Sequence, residues 1–262
     1  MFRLNNDQIN IFVNLKDKSF IRNNKNYFDN NQIQFQINFN SWLVKTFKIS
    51  VKKLNDLKFR DLIIKKKMKL LLLGCGLGDE IFYLEKKYKK YKIDFYYQDL
   101  SLLTAKYAKK KLDKKKINCK FVVSKSDKLP FKNNYFDACF HFGGINLFDK
   151  SKNSVGEFFR VTKNKGQIIY GDEGIGDWLR KSTYSKMLIN NNKLWAAESL
   201  TNILPYKANN VKTSWILENC FYIVSAIKDS NFPKINYKIR HKSPRGGSIY
   251  SRYKKLTKNK KK

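Results

Sequence analysis

The chain has 262 residues, of which 42% are hydrophobic and 15% aromatic, so it can bury a sizeable core and is not a disordered polypeptide. Its formal net charge is +34, which raises the question of nucleic-acid binding. Only eight of the 55 basic residues are arginine, however, and arginine is the residue best suited to bidentate phosphate contacts. Because lysine runs usually mark solvated surface, nucleic-acid binding is the weaker interpretation of the charge.

The sequence also indicates where the protein is located and which metal or disulfide sites to expect. No apolar run reaches the ~18 residues of a membrane span, and the N-terminal stretch lacks the apolar core of a secretory signal. The four cysteines, Cys75, Cys119, Cys139 and Cys220, form no CxxC pair. We therefore expect a cytoplasmic protein without a zinc site, a disulfide framework or a membrane span.

The predicted elements start with an extension, residues 1–50, which is rich in asparagine and aromatic residues. We expect it to pack on the core, in part through a short helix at 38–47. Residues 51–65 follow with apolar side chains near helical spacing.

From residue 68 onward, strand-like and helix-like segments alternate. Strands are predicted at 68–74, 92–99, 119–125, 135–142 and 166–173, and helices at 79–90, 101–116 and 151–163. The first strand has no polar face, which is typical of a central parallel strand. The alternation predicts an α/β fold in which helices cover both faces of a mostly parallel sheet.

After residue 173 the alternation of predicted strands and helices ends. Two helices, at 178–189 and 194–204, are predicted within a helical cap insertion at about 174–210, ahead of two last strands at 215–228 and 246–254. An insertion at this point would cover the carboxyl edge of the sheet, where open α/β folds bind ligands. The chain ends in a basic tail, 254–262.

A glycine-rich turn separates the first strand from the first helix. The sequence LLLLGCGLGDE has glycines at 74, 76 and 78, where bare backbone lets a ligand approach the main chain. A dinucleotide fingerprint would need its third glycine at position 79, which is Asp79 here. Because Asp79 and Glu80 would repel a pyrophosphate, the turn predicts a ligand without phosphate at this place.

Asp99 lies at the end of the second predicted strand, about 20 residues beyond the glycine turn. An acid at this spacing is placed to accept hydrogen bonds from ribose hydroxyls. The alternative is a helix cap, since Asp99 and Ser101 both precede the next helix. The coincidence of turn and spacing favours ribose binding.

Four segments occur in order between residues 66 and 173: GCGLG, QDLS, KSDKLPFKNNYFDACFHFGG and RVTKNKGQIIYGDE. Together they resemble class I S-adenosylmethionine-dependent methyltransferases, especially the branch with ubiquinone and menaquinone methyltransferases. The resemblance implies a Rossmann-like sheet of seven strands, with the last one antiparallel, in a methyltransferase domain over 51–262. It also implies an enzyme that moves a methyl group from S-adenosylmethionine to a small-molecule acceptor by in-line displacement.

The same resemblance implies a set of cofactor-binding residues. The glycine turn would pass under the amino-acid part of the cofactor, Asp99 would hold the ribose and Leu100 would pack on the adenine. Phe142 and Gly143 would lie near the methyl group. The full set is Gly74, Cys75, Gly76, Gly78, Asp99, Leu100, Ser126, Asp127, Phe142 and Gly143.

His141 ends the strand predicted at 135–142, where the methyl group and the acceptor would meet. An imidazole at this place can act as a general base near neutral pH. A histidine that only positions the following loop through hydrogen bonds explains the sequence equally well.

Two rival functions stay open. One is a nucleic-acid methyltransferase, although HFGG stands where amino-methylating enzymes of that class carry a Pro-Pro-aromatic turn. The other is a cofactor-binding protein with little activity, because Leu72 and Lys125 occupy positions where the family often has acids.

Overall fold

The structure is a computed structural model that describes residues 3–4, 8–16, 18, 31–148 and 150–258. The chain divides into two compact units, Met1–Asp229 and Ser230–Lys262. The strands are β1 (Arg3–Leu4), β2 (Ile9–Ile11), β3 (Lys67–Leu73), β4 (Lys92–Asp99), β5 (Cys119–Val123), β6 (Phe136–Phe142), β7 (Thr162–Glu173), β8 (Ala208–Ile216) and β9 (Phe221–Lys228). The helices are α1 (Gln32–Thr46), α2 (Val51–Lys58), α3 (Asp79–Lys87), α4 (Leu102–Lys114), α5 (Ser151–Val161), α6 (Thr183–Asn191) and α7 (Ile249–Lys258).

Among the described residues, nine strands form one sheet in the order β1-β2-β5-β4-β3-β6-β7-β9-β8. Its centre is parallel, and β9 runs antiparallel to both β7 and β8. The predicted mostly parallel α/β sheet with an antiparallel end is confirmed. The sheet is wider than the seven strands expected, because β1 and β2, in the asparagine-rich extension, add to its edge beside β5.

The core explains why β3 is central. Its leucines alternate between the two faces: Leu70 and Leu72 join one buried cluster, and Leu71 and Leu73 join the other. Helices α3 and α4 cover the first face and α5 covers the second. The N-terminal segment takes part in the first cluster, since α1 contributes Leu43 to it.

The two last strands differ from the prediction. β8 and β9 form an antiparallel hairpin, whereas the sequence predicts the end of the cap insertion and one strand at 215–228 for these residues. The turn between the two strands, residues 217–219, has positive φ angles. The strand predicted at 246–254 is wrong, because Ile249–Lys258 is helical. Ser248 and Ser251 cap this helix reciprocally: each backbone N–H donates to the other hydroxyl at 3.1 Å.

The predicted cap is only partly helical. Residues 183–191 form α6, begun by the Ser182 hydroxyl, which accepts from the Ser185 N–H. The prediction of a second helix at 194–204 is wrong. This segment forms two 3-10 turns, Lys193–Ala196 and Leu200–Ile203, with extended backbone between them. The Asn192 side chain starts the first turn by accepting from the Leu194 N–H.

Some predicted segments fall outside the described residues. They are residues 1–2, 5–7, 17 and 19–30 of the N-terminal extension and 259–262 of the basic tail. None of the helices in the described part of the chain is long and apolar enough to cross a membrane.

Candidate functional site

A cavity of about 530 Å³ opens at the carboxyl ends of β3, β4 and β6. This is the edge at which open α/β sheets bind ligands, because the strand ends and the following turns leave a crevice there. The cavity is lined by the glycine turn, Asp99, residues 125–127 and a group of aromatic side chains, Phe35, Phe39, Phe140, Phe142, Phe148 and Phe221.

The glycine turn forms part of the cavity wall. The φ angles are +53° at Gly74, +54° at Gly76 and +74° at Gly78. Residues with a side chain adopt this left-handed conformation only at a cost in free energy. Gly74 and Gly76 line the cavity. A methyl group on Gly74 would lie 3.0 Å from the His141 ring, and one on Gly76 would collide with the Gln36 side chain.

Gly78, although included in the predicted cofactor set, is not part of the cavity lining. It precedes α3, and a methyl group there would lie 3.4 Å from Ala108 and Leu112 of α4. Because that distance is an ordinary van der Waals contact, the φ of +74° favours glycine here, and lack of space does not.

Asp99 holds the turn in place. Its Oδ2 accepts from the Gly76 N–H at 2.9 Å, and its Oδ1 accepts from the Ser101 N–H at 3.0 Å. The cap of α4 is Ser101, whose hydroxyl accepts from the Thr104 N–H. Asp99 is 8% exposed and lines the cavity, and burial raises the pKa of its carboxyl group against the effect of these hydrogen bonds.

The structure brings the other residues of the predicted cofactor set to the same cavity. Leu100, Ser126 and Asp127 line it beyond Asp99, and Phe142 and Gly143 line it at the end of β6. Cys75 also lines the cavity, and burial raises the pKa of its thiol well above the ordinary value, so it stays protonated at neutral pH.

His141 is buried in the cavity wall, with 1% of its surface exposed. Its Nδ1 lies 2.8 Å from the Leu73 carbonyl oxygen and therefore donates to it. This bond leaves Nε2 as the unprotonated ring nitrogen, and Nε2 has no hydrogen-bond partner among the described residues. Burial lowers the pKa of the imidazole, which keeps it neutral at pH 7.

Asp172 and Glu173, at the end of β7, differ in role. The Asp172 carboxylate accepts from the Gly144 N–H at 3.0 Å and from the Asn146 N–H at 2.7 Å, so it fixes the loop after β6. Glu173 lines the cavity. Burial, together with the neighbouring Asp172 carboxylate, raises the pKa of Glu173 to about 9.

This raised pKa predicts a pH-dependent contribution to stability. Glu173 ionises near 4.5 in the unfolded chain and near 9 in the folded one. The unfolded state alone loses this proton as pH rises from about 5 to 9, so the free energy of unfolding falls over that range. Glu173→Gln should remove the fall and be more stable than the wild type at pH 8 by about 1 kcal/mol or more.

Urea unfolding at pH 5 and pH 8 measures this difference. Glu218→Gln, at an exposed glutamate in the turn before β9, is the matched control and should keep the wild-type pH dependence. An equal change of stability with pH in the wild type and in Glu173→Gln would contradict the assignment.

The part that α1 has in the site was missed in the sequence analysis. Gln32, Phe35, Gln36, Phe39 and Asn40 line the cavity from above the glycine turn. A usable signal was the aromatic spacing, because Phe35, Phe39 and Trp42 stack along one face of the helix. Lys58, at the end of α2, also lines the cavity.

Comparisons with known proteins agree with this geometry. Residues 71–170 match the sequence model of a family described as a methyltransferase domain. "Uncharacterized protein MJ1252" from Methanocaldococcus jannaschii is 32% identical over 126 residues, which cover 46% of this chain and 45% of that protein.

Two solved structures share the fold. Phosphoethanolamine N-methyltransferase 2 of Haemonchus contortus, in complex with phosphomonomethylethanolamine and S-adenosylhomocysteine, has a TM-score of 0.56 at 14% identity, over 68% of this chain and 53% of that one. The PH0226 protein of Pyrococcus horikoshii has a TM-score of 0.54 at 18% identity, over 81% and 99%. This chain thus spans about half the length of the Methanocaldococcus and Haemonchus proteins.

Proposed function

We propose that residues 71–170, which match the model of a methyltransferase-domain family, form a class I S-adenosylmethionine-dependent methyltransferase domain, and that the protein methylates a small-molecule acceptor. The observation that carries the proposal is the bond between the Asp99 carboxylate and the Gly76 N–H at the cavity wall. This hydrogen bond holds an acid suited to ribose hydroxyls next to backbone that has no side chains. An adenosyl ligand requires both an acceptor for its ribose and close access to the main chain.

The residues of the cavity fit S-adenosylmethionine in shape and charge. Gly74 and Gly76 leave room against the main chain that a side chain would fill. Asp99 keeps lone pairs for ribose hydroxyls while it holds the turn. When bound, the cofactor supplies a methyl group on a sulfonium that is already activated for displacement.

The protein's own contribution is alignment and proton removal. Phe142, Phe148 and Phe221 line the cavity, and aromatic faces can pack on an acceptor and favour a nearby cation. His141 lines the cavity with a neutral imidazole. We assign to its Nε2, which is buried and has no hydrogen-bond partner among the described residues, the removal of a proton from an acceptor that packs against the ring.

A small acceptor fits this site better than a polynucleotide. Helix α1, the glycine turn and Leu194 of the cap segment all line the cavity, so several elements enclose the space that an acceptor has to enter. The charge of +34 keeps nucleic acid as the rival acceptor.

The test is transfer of labelled methyl groups from S-adenosylmethionine into fractions of a cell extract, before and after nuclease treatment. The proposal expects the label in low-molecular-weight material that survives nuclease, with S-adenosylhomocysteine as the second product. Label that disappears after nuclease treatment would assign the protein to nucleic-acid methylation, and no transfer to any fraction would refute the enzyme.

The role of His141 has its own prediction, made with the labelled acceptor. His141→Ala should lower the turnover number by about a hundredfold, the scale of general-base catalysis, and leave the affinity for S-adenosylhomocysteine within about twofold. Wild-type turnover should also fall at acidic pH as the imidazole takes up a proton. His241→Ala is the control, because His241 is the other histidine and is exposed. Full turnover in His141→Ala would leave only the loop-positioning interpretation.

A further inference from the structure

A buried ion pair lines the cavity beside the glycine turn. Lys58 Nζ, at the end of α2, lies 2.9 Å from Glu80 Oε1, in the first turn of α3. The two side chains are only 7% and 18% exposed, and both line the cavity. Burial raises the pKa of Glu80, but the Lys58 ammonium outweighs that effect and lowers it overall, so the carboxylate is ionised at neutral pH.

Stability alone does not account for this pair. Removing two charges from water costs about as much free energy as their attraction returns, so a buried ion pair is weak evidence of a structural role. The Lys58 ammonium also lies 5.0 Å from the centre of the Phe142 ring, at the end of β6. The pair therefore stands between the glycine turn and the residue expected near the methyl group.

The neighbouring charged groups are engaged elsewhere. Asp79 forms an ion pair with Lys111 of α4 at 2.7 Å, and Asp99 accepts from two backbone N–H groups. The last four residues of β3, which lead into the turn, supply no charge, because residues 70–73 are all leucine. Beside the turn, a cation and an anion held together thus face the cavity from α2 and α3.

We propose that Lys58 and Glu80 bind the amino-acid end of the cofactor. That end is a zwitterion, and a fixed pair of opposite charges matches it: the Lys58 ammonium donates to the carboxylate, and the Glu80 carboxylate accepts from the ammonium. The inference rests on the proposed function, and it gives the cavity a charged subsite beside the glycine turn.

Two ligands separate this subsite from the rest of the site. S-adenosylhomocysteine carries the zwitterion, whereas 5′-methylthioadenosine has the same adenosyl thioether without it. Calorimetric titration of the full chain with each ligand should show that Glu80→Gln and Lys58→Gln each lower the affinity for S-adenosylhomocysteine by about tenfold to a hundredfold. The affinity for 5′-methylthioadenosine should stay within about twofold.

The exchanged variant, Lys58→Glu with Glu80→Lys, tests a purely structural role. It restores an ion pair between α2 and α3 but reverses the charges that face the ligand. We expect the weak binding of S-adenosylhomocysteine to persist in it. Recovery of wild-type affinity would overturn the inference, because it would mean that the pair only joins the two helices.

The remaining outcomes are also decisive. Unchanged affinity for S-adenosylhomocysteine in both single variants would overturn the inference and leave the proposed function standing. An equal loss for both ligands would overturn it too, since the variants would then act through the shape of the whole site. If the wild type binds neither ligand, the proposed function itself fails.

Discussion

Asp99→Ala is expected to lower the affinity for S-adenosylhomocysteine by at least about a hundredfold. The carboxylate lines the cavity, and each hydroxyl bonded to a charged acceptor contributes about 1.5–3 kcal/mol, so the loss of two ribose contacts gives a reduction of this size. The variant also leaves the Gly76 and Ser101 N–H groups without their acceptor, so thermal unfolding should be measured beside the calorimetric titration.

Two further variants make this prediction specific. Asp99→Asn keeps the shape and one acceptor oxygen, and it should show an intermediate loss of about tenfold. Asp94→Asn, at an exposed position on the same strand, should bind within about twofold of the wild type. An Asp99→Asn variant that is folded and binds as tightly as the wild type would mean that this carboxylate is not the ribose acceptor.

The second large effect is expected at Gly76. Its φ of +54° costs a residue with a side chain about 1–2 kcal/mol, and the added methyl group would project into the cavity and collide with Gln36. Gly76→Ala should therefore lose about 1–2 kcal/mol of unfolding free energy. We expect its affinity for S-adenosylhomocysteine to fall by about a hundredfold, to be measured by calorimetry.

Gly246→Ala is the matched control for backbone strain. Gly246 has a φ of +74° and no heavy atom within 4 Å of an added methyl group, so its variant carries similar strain at a residue that does not line the cavity. It should bind normally. The double variant Gly76→Ala with Gln36→Ala removes the collision with α1, and restored binding in it would show that the turn does not contact the cofactor.

The centre of the fold could be predicted because local and tertiary signals agree there. An unbroken leucine run predicts a strand buried on both faces, and β3 is such a strand. The contact between Asp99 and the turn followed from the same topology, since the ends of neighbouring parallel strands meet at one edge of the sheet.

The parts that were missed depend on contacts that a linear pattern does not reveal. In α1, the alternation of glutamine with apolar residues is as typical of a strand as of a helix, and packing on the cavity decides for the helix. Lys58 carries no signal in a chain with so many lysines, and its partner Glu80 is 22 residues away. In 246–254, apolar and aromatic residues suggested a strand, but the serine cap begins a helix.

A crystal structure of the protein soaked with S-adenosylhomocysteine is the most direct measurement of the central claim. We expect the ribose hydroxyls within hydrogen-bonding distance of the Asp99 carboxylate and the thioether chain against the main chain of Gly74 and Gly76. Density for the ligand away from Asp99, or none at saturating concentration, would contradict the claim.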